Sequence, residues 1–245
     1  MNDQTLTTEA ETSADEMRSA ELVKSAATME DAAREFEPAA ATPDEAIRLL
    51  KTGNARFFSN QSARPPMSAM QRRAQIAGQT PFAVIVGCAD SRVPTENVFD
   101  QSAGDLFTVR VAGNVCGEEV YASVEYAVRH LKSHLIVVLG HEGCGAVKAA
   151  MLSADARSNE PENVRKLLEK ILPAVAKLPA IRDAKARMRE AAIANVRLQV
   201  HRMNENPTVK AAVETGEIRV IGGYYELGSG AVDFFESEED LQTDV

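Results

Sequence analysis

From residue 42 onward the apolar positions follow two alternating patterns. PFAVIVGC (81–88), DLFTVRVAG (105–113), HLIVVLGHEGCG (134–145) and EIRVIGGYYEL (217–227) are short apolar runs, rich in β-branched residues and broken by glycine. Runs without a polar face are strands buried on both sides. Between them the apolar residues return at helical spacing. EEVYASVEYAVRHLK (118–132) puts Val120, Val124, Ala127, Val128 and Leu131 near one stripe, which predicts a helix. NVRKLLEKILPAVAKL is helical in pattern, but Pro173 predicts a kink or a split. DAKARMREAAIANVRLQVHRMNE predicts a longer amphipathic helix. Upstream, TPDEAIRLLKTGNARFF carries a helix start: Thr42 as N-cap, Pro43 in the first position and Glu45 closing a capping box. Ala46, Leu49 and Leu50 share its apolar stripe, and Gly53 is the expected stop. A second short helix is expected around PMSAMQRRAQIAG. Strands alternating with helices predict an α/β fold: a mainly parallel central β-sheet flanked by helices, with an N-terminal helical arm.

The pattern thins at both ends. Residues 1–41 are rich in Ala, Glu, Thr and Ser, with Phe36 the sole aromatic. They read as an acidic, flexible tail, in which SADEMRSAELVKSAATMEDAAREF becomes helical only against a partner surface. Residues 42–235 read as one α/β domain and 236–245 as an acidic C-terminal tail.

Composition narrows the function. A net charge of −9 without a Lys/Arg-rich run argues against a nucleic-acid partner. No apolar run approaches a membrane span, and MNDQTLTTEAETSADEM has none of the apolar segment of a secretory leader. A cytoplasmic protein is the expectation. Three cysteines, Cys88, Cys116 and Cys144, do not suit a disulfide framework. In a reducing compartment thiols are buried, metal-bound or catalytic.

Two of the expected strands end in reactive groups. GCADSRVP (87–94) delivers Cys88, Asp90 and Arg92; HEGCG (141–145) delivers His141 and Cys144. Ligands of parallel α/β sheets bind beyond the carboxyl ends of the strands. If the two strands are neighbours, two thiolates and an imidazole converge, a set that suits zinc and leaves a fourth position open. The plain alternative is a pair of buried cysteines acting as small hydrophobes beside a core histidine. Asp90 and Arg92 stand two apart, so the guanidinium can hold the carboxylate ionised and fixed. A phosphatase loop would need Cys-x5-Arg, whereas the spacing here is Cys-x3-Arg with an acid inside it. A redox dithiol would need C-x-x-C, which the chain lacks.

CADSRVP followed by HEGCG closely resembles the β-class carbonic anhydrases, and the likeness runs from about residue 42 to 235. It includes TPDEAIRLLKTGNARF, GDLFTVRVAGN, SVEYAV and GGYYEL. The resemblance implies a zinc lyase that hydrates carbon dioxide reversibly to bicarbonate and a proton, by attack of zinc-bound hydroxide. It implies one Zn2+ per subunit on Cys88, His141 and Cys144, with Asp90 and Arg92 as the catalytic dyad. Gln79, Phe107, Tyr126 and the Gly145 N–H match substrate-pocket positions, and Ala112 stands where Val is frequent. Gln79 and Gly145 would meet substrate oxygens, while Phe107 and Tyr126 would form apolar walls. An allosteric branch of the family carries Trp three residues before the first Cys. Ile85 occupies that position and the chain has no Trp, so the open, plant-like branch is expected. Arg110 and Tyr225 match that branch's bicarbonate site but occur in the open branch too. Family members form dimers that share pocket residues, so a homodimer or a dimer of dimers is expected. The rival readings are a non-catalytic zinc-stabilised bicarbonate sensor and a hydrolase of a carbon dioxide analogue such as carbonyl sulfide. Asp90, Arg92 and Gln79 together favour the enzyme over the sensor. Cys116 reads as a structural thiol. His130 and His134 read as proton shuttles or solvated loop residues, and His201 as a surface residue.

Overall fold

Five strands form one sheet in the order β2-β1-β3-β4-β5, with β1 at Ala83–Gly87, β2 at Leu106–Arg110, β3 at Leu135–His141, β4 at Arg219–Tyr225 and β5 at Val232–Phe235. The computed structural model describes residues 39–64, 69–76 and 78–241. The expected tail up to residue 38, with its conditional helix, lies outside the described residues. β1, β2, β3 and β4 are mutually parallel, and β5 returns antiparallel to β4. The first four are the apolar runs of the sequence. β5 was not foreseen, because VDFF is short and Asp233 interrupts its apolar pattern; that carboxylate bonds outward to Arg189.

Helices cover both faces, which is why the central strands need no polar side. The described helices are α1 (Pro43–Phe58), α2 (Ala69–Ala74), α3 (Thr95–Val98), α4 (Glu118–Tyr126), α5 (Gly145–Ala150), α6 (Ala154–Ser158), α7 (Glu162–Glu169), α8 (Leu172–Ala176), α9 (Ala184–Glu205), α10 (Pro207–Glu214) and α11 (Glu238–Leu241). On one face Ile47 and Leu50 of α1 pack with Ile85, Val137, Leu139 and Ile221. On the other, Val124 of α4 and Val196 and Val200 of α9 pack with Val84, Val86 and Val138. α9 comes close because β3 offers Gly140, where a Cβ would stand 2.5 Å from Val196 Cγ2. Pro173 separates α7 from α8, as a residue without an amide hydrogen should.

The α1 start follows its sequence signals. Thr42 Oγ1 accepts the Glu45 N–H at 3.3 Å, and Glu45 Oε2 accepts the Ala41 N–H at 2.9 Å. The expected stop at Gly53 is wrong: the helix runs on to Phe58 and is capped at Ser59. A Cβ at Gly53 would lie 1.8 Å from the Phe99 carbonyl oxygen. The glycine therefore serves a close helix-to-loop approach rather than a left-handed cap. The next residue completes the join. Buried Asn54 donates to Val98 O at 3.0 Å and Gly230 O at 2.9 Å, and accepts from the Val232 N–H at 2.9 Å.

α4 continues as a π-helical turn over Ala127–Leu131 and ends at Lys132 in the left-handed region, φ 53°. In the stretch read as an acidic C-terminal tail, α11 packs Leu241 onto the α9 face of the sheet. Among the described residues, no helix is long and apolar enough to cross a membrane.

Candidate metal centre and active site

Parallel pairing of β1 with β3 sets Gly87 beside Leu139, so the two strands end together. Cys88 follows β1 directly, His141 closes β3, and Cys144 is the N-cap of α5. Their ligand atoms all lie within 4.8 Å of one another, and the two sulfurs are 4.0 Å apart. Two thiolates on a tetrahedral zinc with bonds of about 2.3 Å would stand about 3.8 Å apart. All three residues are buried.

The imidazole supplies an independent test of fit. His141 Nδ1 bonds to the Glu142 carbonyl oxygen at 2.9 Å. A carbonyl only accepts, so the proton sits on Nδ1 and Nε2 keeps its lone pair. That Nε2 is buried without a hydrogen-bond partner. A buried nitrogen acceptor left bare is costly unless a metal takes the lone pair, and a backbone carbonyl on the opposite nitrogen is the usual support for such a ligand. The thiols point the same way. The Cys144 contact stabilises a Cys88 thiolate and, against the opposing effect of burial, helps hold its pKa low; His141 and the Asp90 and Gly113 N–H groups assist. The same contact, with burial, pushes Cys144 up. A cation between them would relieve that conflict.

Beside the cluster, Asp90 is fixed in a fork. Arg92 Nε donates to Oδ1 at 2.9 Å, Nη2 to Oδ2 at 2.7 Å, and the Arg92 backbone N–H to Oδ1 at 2.9 Å. These bonds hold the Asp90 carboxyl well below the usual carboxylate range. Its Oδ2 is 3.9 Å from His141 Nε2 but is held by Arg92. Arg110 braces the loop from β2, with Nε on the Cys88 carbonyl at 2.9 Å and Nη2 on the Asp90 carbonyl. The motif alone does not reveal this brace.

The other expected residues divide into two groups. Gly145 opens α5 next to Cys144, and Ala112 precedes Gly113, whose N–H reaches Cys88 Sγ at 3.3 Å. Both are exposed at the rim of the cluster. Gln79 lies before the amino end of β1, away from Cys88. Phe107 is in register with Val84, a four-residue, roughly 13 Å step along the strand from Cys88. Tyr126 stacks near Phe107 with centroids 6.3 Å apart, and His130 lies 5.1 Å from Tyr126. A single chain therefore does not bring Gln79, Phe107 and Tyr126 to the cluster. His134 bonds to the Glu217 carbonyl, His201 sits near Glu205 on exposed α9 surface, and Cys116 is a buried thiol pushed up to about 12 by burial.

The fold and this cluster define an α/β protein with a Cys–His–Cys centre at its strand ends. A family profile described as "Carbonic anhydrase" matches residues 83–232. Carbonic anhydrase 2 of Mycobacterium tuberculosis is 40% identical over 189 residues, covering 77% of this chain and 90% of that protein. The carbonic anhydrase of Mycolicibacterium smegmatis is 38% identical over 192 residues, covering 78% and 92%. Among solved structures, one of two tetrameric beta-carbonic anhydrases from Sordaria macrospora superimposes with TM-score 0.63 at 25% identity, covering 77% of this chain and 95% of that one. The Coccomyxa beta-carbonic anhydrase in complex with acetazolamide superimposes with TM-score 0.59 at 25% identity, covering 80% and 86%. The chain belongs to the carbonic anhydrase family, in its β class, and acts in the hydration of carbon dioxide.

Proposed function

We propose that Cys88, His141 and Cys144 hold one zinc ion and that the reversible hydration of carbon dioxide takes place beside it. The observation that carries this reading is the buried, unpartnered Nε2 of His141 within 4.8 Å of two thiol sulfurs. A zinc ion so held supplies Lewis-acid activation of water toward carbon dioxide.

Every other role falls to side chains of the protein. Asp90, kept ionised by Arg92, accepts at Oδ2 a hydrogen bond from the attacking water and turns its lone pair toward the substrate carbon. Arg92 also keeps Asp90 turned away from the ligand set, which corresponds to the open form of the family. The Gly145 N–H, at the start of α5, offers a donor to a substrate oxygen, and Ala112 leaves room at the rim. Gln79, Phe107 and Tyr126 reach the substrate from a second copy of the chain. Exposed Tyr126 and His130 beside half-buried Phe107 of edge strand β2 support this, since Tyr126 is 49% exposed in one chain. The catalytic unit is thus a homodimer or a dimer of dimers, with carbon dioxide and bicarbonate as its small-molecule partners. We place it in the cytoplasm, in keeping with three thiols that are all free.

Zinc analysis paired with stopped-flow hydration in a pH indicator tests the proposal. One zinc per chain and hydration lost on chelation and regained on zinc addition are expected. A zinc-loaded chain that does not hydrate carbon dioxide would overturn the catalytic reading and leave the sensor.

A further inference from the structure

The Cys88 sulfur accepts the Gly113 N–H at 3.3 Å, a donor that neither motif contains. Gly113 is left-handed, φ 69° and ψ 18°, in the turn that follows β2. A Cβ there would lie 2.7 Å from Ile171 Cδ1, so the peptide is wedged where only glycine fits. The residue is anchored on its carbonyl side, in the next peptide unit, from α9. Asn195 Nδ2 donates to the Gly113 carbonyl at 2.9 Å. Asn195 is itself held, because Gln199 Nε2 donates to its Oδ1 at 3.0 Å. Gln199 completes its bonds at the Lys170 carbonyl and the Cys116 N–H, 3.2 and 2.9 Å away.

Both amides are fully buried, on a helix face otherwise made of Ala191, Ala192, Val196 and Val200. Burying two amides costs desolvation that their bonds only just offset. Leucine would leave the Gly113 carbonyl or the Cys116 N–H without these partners, so the pair is placed by what it bonds rather than by packing. The Asn195 bond ends on Gly113, the residue whose N–H meets the Cys88 sulfur. A hydrogen bond to a thiolate withdraws charge from the sulfur, and contacts behind a ligand tune its donation to the metal.

We propose that Asn195, braced by Gln199, is a positioning residue that anchors Gly113 on its carbonyl side and so holds its φ and ψ such that its N–H stays on the Cys88 sulfur and limits the charge Cys88 gives to the metal. The proposal rests on Cys88 being a metal ligand. In the cadmium-loaded wild-type protein, NMR is expected to show a scalar coupling between the Gly113 amide proton and the metal through the sulfur. In the cobalt-loaded Asn195→Leu variant, the sulfur-to-cobalt charge-transfer band is expected to move to longer wavelength. Zinc affinity should fall about 10-fold. Gln199→Leu, which leaves Asn195 unbraced, should move the band the same way by less. A missing coupling in the cadmium-loaded protein, or an unmoved band in a folded Asn195→Leu variant with reduced activity, overturns the proposal. The wild-type coupling tests the Gly113 bond itself, and if Asn195→Leu does not fold, an unchanged coupling in cadmium-loaded Gln199→Leu overturns the role of the brace. Failure to take up cadmium or cobalt at all would instead remove the metal site, and this inference with it.

Discussion

The Asp90 carboxylate stands between the Arg92 guanidinium, which bonds it at 2.7 Å, and the Cys–His–Cys cluster, whose His141 Nε2 is 3.9 Å from it. Arg92 holds it with two side-chain bonds and a backbone N–H, so the balance of the site rests on one guanidinium. Asp90→Asn keeps the shape and loses the charge. It should leave zinc content unchanged while hydration falls by about 100-fold or more, read by stopped flow against metal analysis. Normal turnover in a zinc-loaded variant would remove Asp90 from the chemistry. Arg92→Ala frees the carboxylate. The crystal structure of the zinc-loaded variant should then show Asp90 turned onto the metal, and an Asp90 still pointing away would count against Arg92 as its restraint. The residues themselves were legible in CADSRVP, because chemistry that sits two residues apart is local. Their pairing followed from the spacing of two, whereas the Arg110 brace did not, since β2 delivers it.

At the scale of elements, the strand ends were readable and the contacts between elements were not. Gly53 looked like a stop because glycine after an apolar helical stripe ends most helices. It proved to be the point where α1 meets the Phe99 carbonyl. Gly53→Ala should therefore cost about 1–3 kcal/mol, measured by urea unfolding, despite the better helix propensity of alanine. A stable variant would mean that α1 can shift without loss. The same helix is tied to the turn after α3 by Arg56, which bonds Asp100 at 2.5 Å, while the Ala63 and Arg64 N–H groups bond the same carboxylate. Burial opposes ionisation of Asp100, but these donors outweigh it and keep its carboxyl below the usual range. A depressed folded value means that the stabilisation is complete above the ordinary carboxylate pKa of about 4 and drains away as pH falls below it. Asp100→Asn should cost about 1.5–3 kcal/mol at neutral pH and flatten the loss of stability on acidification. Equal acid sensitivity in variant and wild type would discount this pair. Asn195 and Gln199 left a fainter trace: two amides four residues apart on the buried stripe of α9, visible in the sequence as a departure from pattern but without an address.

For the whole molecule the decisive fact is which end of the sheet each residue occupies. Cys88, His141 and Cys144 meet at the carboxyl ends of β1 and β3, whereas Gln79 and Phe107 lie back toward the amino ends. If a second copy supplies the pocket, two defective chains can repair one another. Asp90→Asn mixed and reassociated with Tyr126→Ala should regain activity, because each hybrid dimer contains one site with both residues intact. No regain from a mixture shown to have exchanged subunits would confine the pocket to one chain. The sequence by itself determined the four parallel strands, the longer helices, and the Cys, His and Asp–Arg chemistry at the strand ends. Those follow from hydrophobic period and from residues close together in the chain, and both are local. Only the tertiary structure decided that β1 and β3 are neighbours, that Gly53 and Gly140 admit other elements, and that α9 reaches the turn behind Cys88. Parallel register and helix packing join residues far apart in the chain, and no local pattern encodes that distance. The stretch GCADSRVP names its ligand and its dyad, and the sheet sets what each of them touches.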